Sequence, residues 1–294
     1  MTPVLTIFTS SVRLDLARLW LACVTRAFPR EESRIEIFDD SGAGALGSEL
    51  LPGASVLRPG PGRRDFQEAY NDALARAATP WLFFVDTDAY PVSRDVWPRV
   101  RARLEAGAAA VHCAPRTAVD GHDTVAIALD VASYRAALAD APAGFLPRVE
   151  GEDPAGRAGG WRGFDTGDLL TAAVLARGGR LERLRLEDEG AFVRFDALTN
   201  SHLLAGWAGT GRLLALARRD GYLREGCLGN VALRAAHDRS FPEGPPFAFR
   251  AGRLAVWLAL VPAGPAVLRA ALSRARTQNA GAGRVETFLS EPRP

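Results

Sequence analysis

Residues 81–91, Trp-Leu-Phe-Phe-Val-Asp-Thr-Asp-Ala-Tyr-Pro, constrain the fold more than any other stretch of this chain. Five apolar residues, Trp81 to Val85, run directly into Asp86 and Asp88. An apolar run of that length, bounded by turn residues, reads as a buried strand of a parallel sheet. Open α/β sheets bind ligands outside the carboxyl ends of their strands, which is where the two aspartates stand. Carboxylates left unpaired at such an edge repel each other and are poorly solvated. A hard divalent cation relieves both problems, because it takes oxygen ligands and bridges to phosphate. The stretch therefore reads either as a metal–diphosphate site or as a strand closed by an Asp-rich turn.

The preceding residues repeat a strand–helix alternation. Residues 4–8 and 34–38 are strand-like, 14–27 show helical periodicity, and 55–58 form a short third strand. Residues 65–78 read as a helix, with Phe66, Ala69, Tyr70, Ala73, Leu74 and Ala77 on one face. Such alternation implies βαβ units and a mainly parallel sheet. Beyond the acidic strand, 97–106 is helical, and 108–113, 124–129 and 181–186 are strand candidates. Residues 141–163 are rich in Gly and Pro and read as a mobile loop. A helix over 166–177 follows, with Asp165 or Thr166 as its N-cap. Residues 203–221 are partly helical, and one or two helices begin after Phe247. The tail from Arg284 is expected to fray.

The chain has 294 residues and a net charge of +2, so bulk electrostatics give no case for nucleic acid. It contains no lysine, which leaves arginine to do all permanent cationic work. The three cysteines, Cys23, Cys113 and Cys227, are scattered and fit a reducing compartment. The first strand starts without a basic n-region or cleavage site, and the apolar stretch at 254–268 is broken by Pro262 and Pro265. The expected setting is cytoplasmic, including the inner face of a membrane.

The second strand ends in another acidic pair, Asp39-Asp40, followed by Ser41-Gly42. An Asp at a strand tip can accept hydrogen bonds from a ribose or a base. The same four residues are also good turn chemistry.

These features together resemble the GT-A fold of nucleotide-sugar glycosyltransferases, and family 2 in particular. The resemblance rests on the strand ending in Asp39-Asp40, the helix Glu68-Ala69-Tyr70-Asn71-Asp72-Ala73-Leu74, and the strand ending in Asp86-Thr87-Asp88. Ala73 stands where that family has glycine. The resemblance covers about residues 3–92 and is weaker beyond. It implies an α/β, Rossmann-like, mostly parallel sheet flanked by helices. It divides the chain into a GT-A domain at 1–245, with a nucleotide-binding half at 1–92 and an acceptor half at 93–245, and a helical C-terminal extension at 246–294.

The implied activity is metal-dependent, inverting transfer of a sugar from a nucleoside-diphosphate donor to an acceptor hydroxyl on a glycan, a lipid-linked molecule or a small molecule. The implied cofactor is Mn²⁺ or Mg²⁺. Asp39 or Asp40 would hold base and ribose, with Thr9, Ser10 and Ser11 beside the nucleotide. Asp86 would meet ribose or metal-bound water, and Asp88 would ligate the cation. In that family an acidic residue after an aromatic–glycine loop starts a helix and supplies the catalytic base. Asp168 fits that place and Asp165 is the alternative, because Gly167 stands where glutamate is common. His202 is either a further metal ligand, as in many relatives, or a structural histidine. Arg194 is either a phosphate partner or a surface arginine.

Two other enzyme classes fit less well. Dehalogenase-like phosphatases also end a strand in Asp-x-Asp, but Tyr90 occupies the place of their usual Thr or Val, and the screening lysine is missing. A sugar-nucleotide pyrophosphorylase would need a Gly-rich N-terminal signature and a lysine. A non-catalytic nucleotide-binding scaffold is the remaining alternative. The C-terminal segment, with Trp257, Leu258, Leu260, Val267 and Leu268 among arginines, suits a membrane interface or packing on the domain or a second subunit.

Overall fold

The computed structural model describes residues 2–41, 46–58, 66–113, 126–146, 166–195 and 265–292, together with Gly44, Ala251, Leu254, Ala255 and Leu258. β1 (Leu5–Ser11) leads into α1 (Leu14–Ala27), β2 (Ser33–Asp39), β3 (Ser55–Leu57), α2 (Phe66–Arg76) and β4 (Trp81–Val85). After the acidic turn come β5 (Ala89–Pro91), α3 (Val96–Glu105), β6 (Ala110–His112), β7 (Ala126–Asp130) and α4 (Val131–Ala137). The remaining elements are α5 (Asp168–Ala176), β8 (Leu181–Arg183), β9 (Phe192–Arg194) and α6 (Pro265–Ser290).

Seven strands form one sheet in the order β3-β2-β1-β4-β7-β6-β8. β7 alone among them runs against the others, pairing antiparallel with both β4 and β6. β5 and β9 make a separate two-stranded antiparallel ribbon. The strand order departs in both directions from β1, with β2 and β3 on one side and β4 on the other. This is a GT-A-like α/β fold, and its chain reversal beside β1 creates the crevice in which open sheets bind ligands.

Alternation along the strands explains the layers. Leu5, Ile7, Phe83 and Val85 face one core, shared with Trp20, Val24, Trp97 and Val100 of α1 and α3. Phe8, Leu82 and Phe84 face the other, shared with Tyr70, Leu74, Tyr134, Leu170 and Val174 of α2, α4 and α5. β4 is thus apolar throughout because helices cover both of its faces. α4 begins where the Asp130 carboxylate accepts hydrogen bonds from Ser133 N at 2.8 Å and Ser133 Oγ at 2.7 Å.

Several sequence expectations need correction. The tail from Arg284 does not fray: residues 284–290 complete α6, and Ala282, Val285 and Phe288 lie in the first core. Arg26 donates to Leu289 O, and Arg94 Nη2 donates to Pro292 O at 2.7 Å. A stripe at spacings of three, hidden among Gly, Ala and Arg, does the packing. The N-cap of α5 is Gly167 rather than Asp165 or Thr166, with φ at 79°. The Thr166 hydroxyl is engaged elsewhere, by Gln67. The front of the Gly/Pro-rich loop is anchored, not mobile, because Phe145 is fully buried and stacks on Tyr134. The rest of that loop, residues 147–163, and residues 203–221 lie outside the described residues. β5, β9 and α4 were not anticipated. No described helix is long and apolar enough to cross a membrane.

Cys23 and Cys113 are buried, and burial pushes the Cys23 thiol up to about 12 and the Cys113 thiol upward as well. His112, on β6 opposite Arg183 of β8, is buried, and burial, then the nearby Arg183 charge, lowers its pKa to about 4. The folded state therefore holds a neutral imidazole, whereas the unfolded chain protonates near its ordinary value. The stability this contributes is complete above about pH 6.5 and is lost as pH falls towards 4. Between pH 7 and pH 5 the loss should be about 2 kcal/mol. Urea denaturation across that range should show the slope in the wild type and a flatter one in His112→Gln; equal slopes would remove His112 as its source.

Candidate functional site

The tip of β1 is the centre of the site. Its last register pair joins Ser11 to Asp39 of β2. Asp40 N donates to Ser11 O at 2.9 Å, holding the end of β2 against it. From the other side, Thr87 Oγ1 in the acidic turn donates to Ser10 O at 3.4 Å. Thr9 is fully buried, and Ser10 is half-buried between the two acidic strand ends. Thr9, Ser10 and Ser11 extend the strand expected at 4–8 and complete β1, whose tip lies between Asp39-Asp40 and Asp86-Thr87-Asp88.

The acidic residues play unequal parts. Asp39 is 1% exposed and uses both oxygens on the following loop: Oδ1 accepts from Ser41 N at 3.0 Å and Oδ2 from Leu46 N at 3.1 Å. That is the turn chemistry of an Asx motif extended across a larger loop. Asp40 is exposed beside it. On β4's side the turn closes with Ala89 N donating to Asp86 O at 3.0 Å. Asp86 is half-buried and Asp88 is buried.

One group shows that these carboxylates converge. The Tyr70 hydroxyl of α2 donates to Asp86 Oδ1 at 3.2 Å. Its pKa lies well above the ordinary tyrosine value, chiefly through burial, then through the Asp86 charge and hydrogen bond, and further through the charges of Asp88 and Asp40. Asp40, just after β2, and Asp86 and Asp88, just after β4, are thus within electrostatic reach of a single phenol.

α2 organises more than this residue. Gln67, one turn earlier on the same face, donates through Nε2 to Thr166 Oγ1 at 3.2 Å. Gln67 Oε1 is buried without a hydrogen-bond partner among the described residues. Asn71 binds the loop before α5 with both amide groups: Nδ2 donates to Ala143 O at 3.1 Å, and Oδ1 accepts from Phe145 N at 2.8 Å. Phe145 O in turn accepts from Gly167 N at 3.1 Å. This chain of bonds sets the start of α5, where Asp168 is the first residue and is half-buried. Sequence reasoning saw Asn71 as a motif residue but missed Gln67 and Tyr70. A tyrosine on an otherwise apolar helix face was the available signal, since a buried hydroxyl needs a partner.

Arg194 is positioned by the β5–β9 ribbon. It pairs opposite Ala89, and the next residue, Phe195, donates its N–H to Asp88 O at 2.9 Å. The sequence-selected arginine therefore lies on the strand that flanks the acidic turn. Asp165 and His202 lie outside the described residues.

The donor set suits the implied cation. Asp86 and Asp88 offer hard oxygen ligands, and Mg²⁺ or Mn²⁺ at a diphosphate takes one or two carboxylates and completes its shell with water and phosphate. No group of three or more His, Cys, Asp or Glu forms a metal cage among the described residues. A two-carboxylate site that shares its cation with phosphate does not need one.

No protein-family model matches this chain, and no curated protein matches it. Solved structures are similar to it in fold. A mannosyltransferase, PcManGT from Pyrobaculum calidifontis, in complex with GDP-Man and Mn²⁺, is 17% identical, with 98% of this chain and 86% of that chain covered at a TM-score of 0.43. TarS (residues 1–349) of S. aureus is 11% identical, with 95% and 91% covered and a TM-score of 0.45. A 4-diphosphocytidyl-2C-methyl-D-erythritol synthase from Anaerococcus prevotii is 10% identical, with 62% and 86% covered and a TM-score of 0.43. At such identities and TM-scores the likenesses carry no inference about activity, and the fold is defined by its own strand order.

The Asn71 bridge should be measurable. Gly144 has φ at 62°, and a Cβ there would lie 2.0 Å from Asn71 Oδ1, so loop and side chain are closely fitted. Asn71→Ala leaves Phe145 N–H without its acceptor and should destabilise the fold by about 1–3 kcal/mol. Urea denaturation measures it; an unchanged midpoint would mean that the loop does not need this bridge.

Proposed function

We propose that this protein is a metal-dependent glycosyltransferase that moves a sugar from a nucleoside-diphosphate donor to an acceptor hydroxyl with inversion. The observation that carries the reading is the convergence of Asp40, Asp86 and Asp88 around the tip of β1, at the reversal of strand order. Clustered carboxylates at that edge are suited to a cation and a polyphosphate, and poorly suited to an apolar or anionic ligand alone.

The roles follow from position. Asp40, exposed at the end of β2, accepts hydrogen bonds from the nucleoside, while Asp39 keeps the loop in place. Ser10 borders the nucleotide, while Thr9, fully buried, supports the strand end behind it. Asp86 and Asp88 would hold Mn²⁺ or Mg²⁺, with His202 as a further candidate ligand; when bound, the cation neutralises diphosphate charge. Arg194 supplies a permanent positive charge beside the same turn, in a chain without lysine.

Asp168 is the proposed base, and Asp165 is the alternative. The acceptor oxygen forms a bond to the anomeric carbon as its proton passes to the carboxylate. The bond from that carbon to the diphosphate oxygen breaks, and its electron pair leaves with the nucleoside diphosphate. Attack from the face opposite the leaving group gives inversion. The α5 N-terminus stabilises a carboxylate anion, so the base role requires the bound acceptor and the nearby aspartates to restore its proton affinity. The acceptor is a glycan, a lipid-linked molecule or a small molecule. Exposed Leu254 and Leu258 suit the peripheral membrane contact or homodimer expected of the C-terminal segment, at the cytoplasmic face.

Three variants test the reading. Asp88→Ala should abolish the Mn²⁺-dependent part of thermal stabilisation by UDP, GDP or dTDP while the fold persists. Retention of the wild-type metal-dependent shift would refute the site. Asp168→Asn should leave nucleotide affinity within a few-fold and cut single-turnover transfer by roughly 10²-fold or more. Near wild-type transfer by both this variant and Asp165→Asn would remove the α5 start from the mechanism. Nucleotide binding by a wild type that neither transfers nor hydrolyses the donor would favour the non-catalytic scaffold instead.

A further inference from the structure

The hydroxyl of Tyr70 is not accounted for by packing. Its ring is: it lies 4.3 Å from Phe84, 5.6 Å from Phe8 and 5.8 Å from Phe145, centroid to centroid, and the residue is 1% exposed. Phenylalanine would fill that space equally well and would avoid burying a polar group. What the oxygen adds is the 3.2 Å hydrogen bond to Asp86 Oδ1.

We propose that Tyr70 is a positioning residue, whose hydroxyl fixes the Asp86 carboxylate in the orientation that receives the divalent cation and the diphosphate. The inference rests on the metal–diphosphate reading of the site and extends it to a residue which itself touches neither ligand.

Three features support it. First, the phenol is immobile. Its ring is clamped on several sides, so the donor hydrogen is delivered from a fixed point. The terminal torsion of an aspartate is otherwise broad, and one fixed hydrogen bond selects the plane of the carboxylate. Second, the donor is neutral. An arginine at this place would pair with Asp86 and compete with the cation for it, whereas a phenol orients the carboxylate and leaves its charge intact. Third, the clamp is continuous with the rest of the site. Gln67 and Asn71 on the same face of α2 bind Thr166 and the 143–145 turn. The helix that orients the acidic turn therefore also sets the start of α5. Hydrogen-bond partners behind a metal ligand commonly change metal affinity by 10- to 100-fold, roughly.

Tyr70→Phe is the test, since it removes the hydroxyl and keeps the ring. Mn²⁺ affinity would be measured by electron paramagnetic resonance in the presence of saturating GDP and, separately, UDP. Nucleotide affinity without metal would be measured by calorimetry, and the fold by circular dichroism. The variant should bind Mn²⁺ about tenfold or more weakly, with metal-free nucleotide affinity changed less than about twofold. In an Asp86→Asn background the same substitution should add nothing, because the coupling runs through that carboxylate. Wild-type Mn²⁺ affinity in Tyr70→Phe, or an equal loss in both backgrounds, would make the hydroxyl merely structural and overturn the inference. A wild type without Mn²⁺-dependent nucleotide binding would overturn the site reading itself, and the role of Tyr70 with it.

Discussion

Carboxylates gathered at one edge repel each other, and each loses hydration as the protein surrounds it. The arrangement of this fold follows from holding them there. Parallel pairing of β1 with β2 and β4 brings three strand ends into line. Hydrogen bonds at the tip of β1 then tie the acidic end of β2 to Ser11 and the acidic turn after β4 to Ser10. The cost of such a cluster is tolerable only if the sheet beneath it is rigid. The two helix layers supply that rigidity by burying β4 on both faces.

The second requirement is that the acidic turn and the start of α5 share a frame. They lie far apart in sequence, so nothing local can align them. α2 does so by presenting Gln67, Tyr70 and Asn71 on one face. The three side chains reach three different segments, while the apolar residues of the helix bind the sheet. A helix is well suited to this, because positions three and four apart stack on one side at fixed spacing. On the opposite flank, the β5–β9 ribbon performs a similar task for Arg194. α6 lies behind that ribbon, and Gly281 lets it approach Val193 closely.

Much of the architecture was legible in the sequence because its central strands announce themselves. Trp81–Val85 is an unbroken apolar run, and alternation with amphipathic helices leaves few other topologies. The convergence of the acidic pairs on one edge also followed, since both end strands of the same sheet. What stayed hidden was short or long-range. β5 and β9 are three residues each, too short to show a period. The packing of α6 rests on Ala282, Val285 and Phe288, a sparse stripe in a segment dominated by Gly, Ala and Arg. The roles of Gln67 and Tyr70 depend on partners nearly 100 and 16 residues away. No local pattern encodes such partners.

The Asp39-Asp40 pair shows why a motif read from sequence can be right about place and ambiguous about work. Asp39 ends β2 and Asp40 follows it, and either could have faced the ligand. Strand geometry separates them, because successive side chains leave a strand on opposite sides. Asp39 falls inward, where burial is tolerable only with full hydrogen bonding, and two backbone N–H groups provide it. Asp40 then falls outward and close enough to Tyr70 to act on its phenol. The turn reading and the ligand reading of the pair are therefore not rivals. Asp39 builds the loop that holds Asp40 at the edge, and the hydrogen bond from Asp40 N to Ser11 O fixes that edge to β1. The same division recurs across the crevice. Thr87 ties the turn to Ser10 while its neighbours Asp86 and Asp88 carry the charge. In both strand ends one residue is given to anchoring so that the charged residue beside it has a defined position. That is what a site made of mutually repelling groups requires.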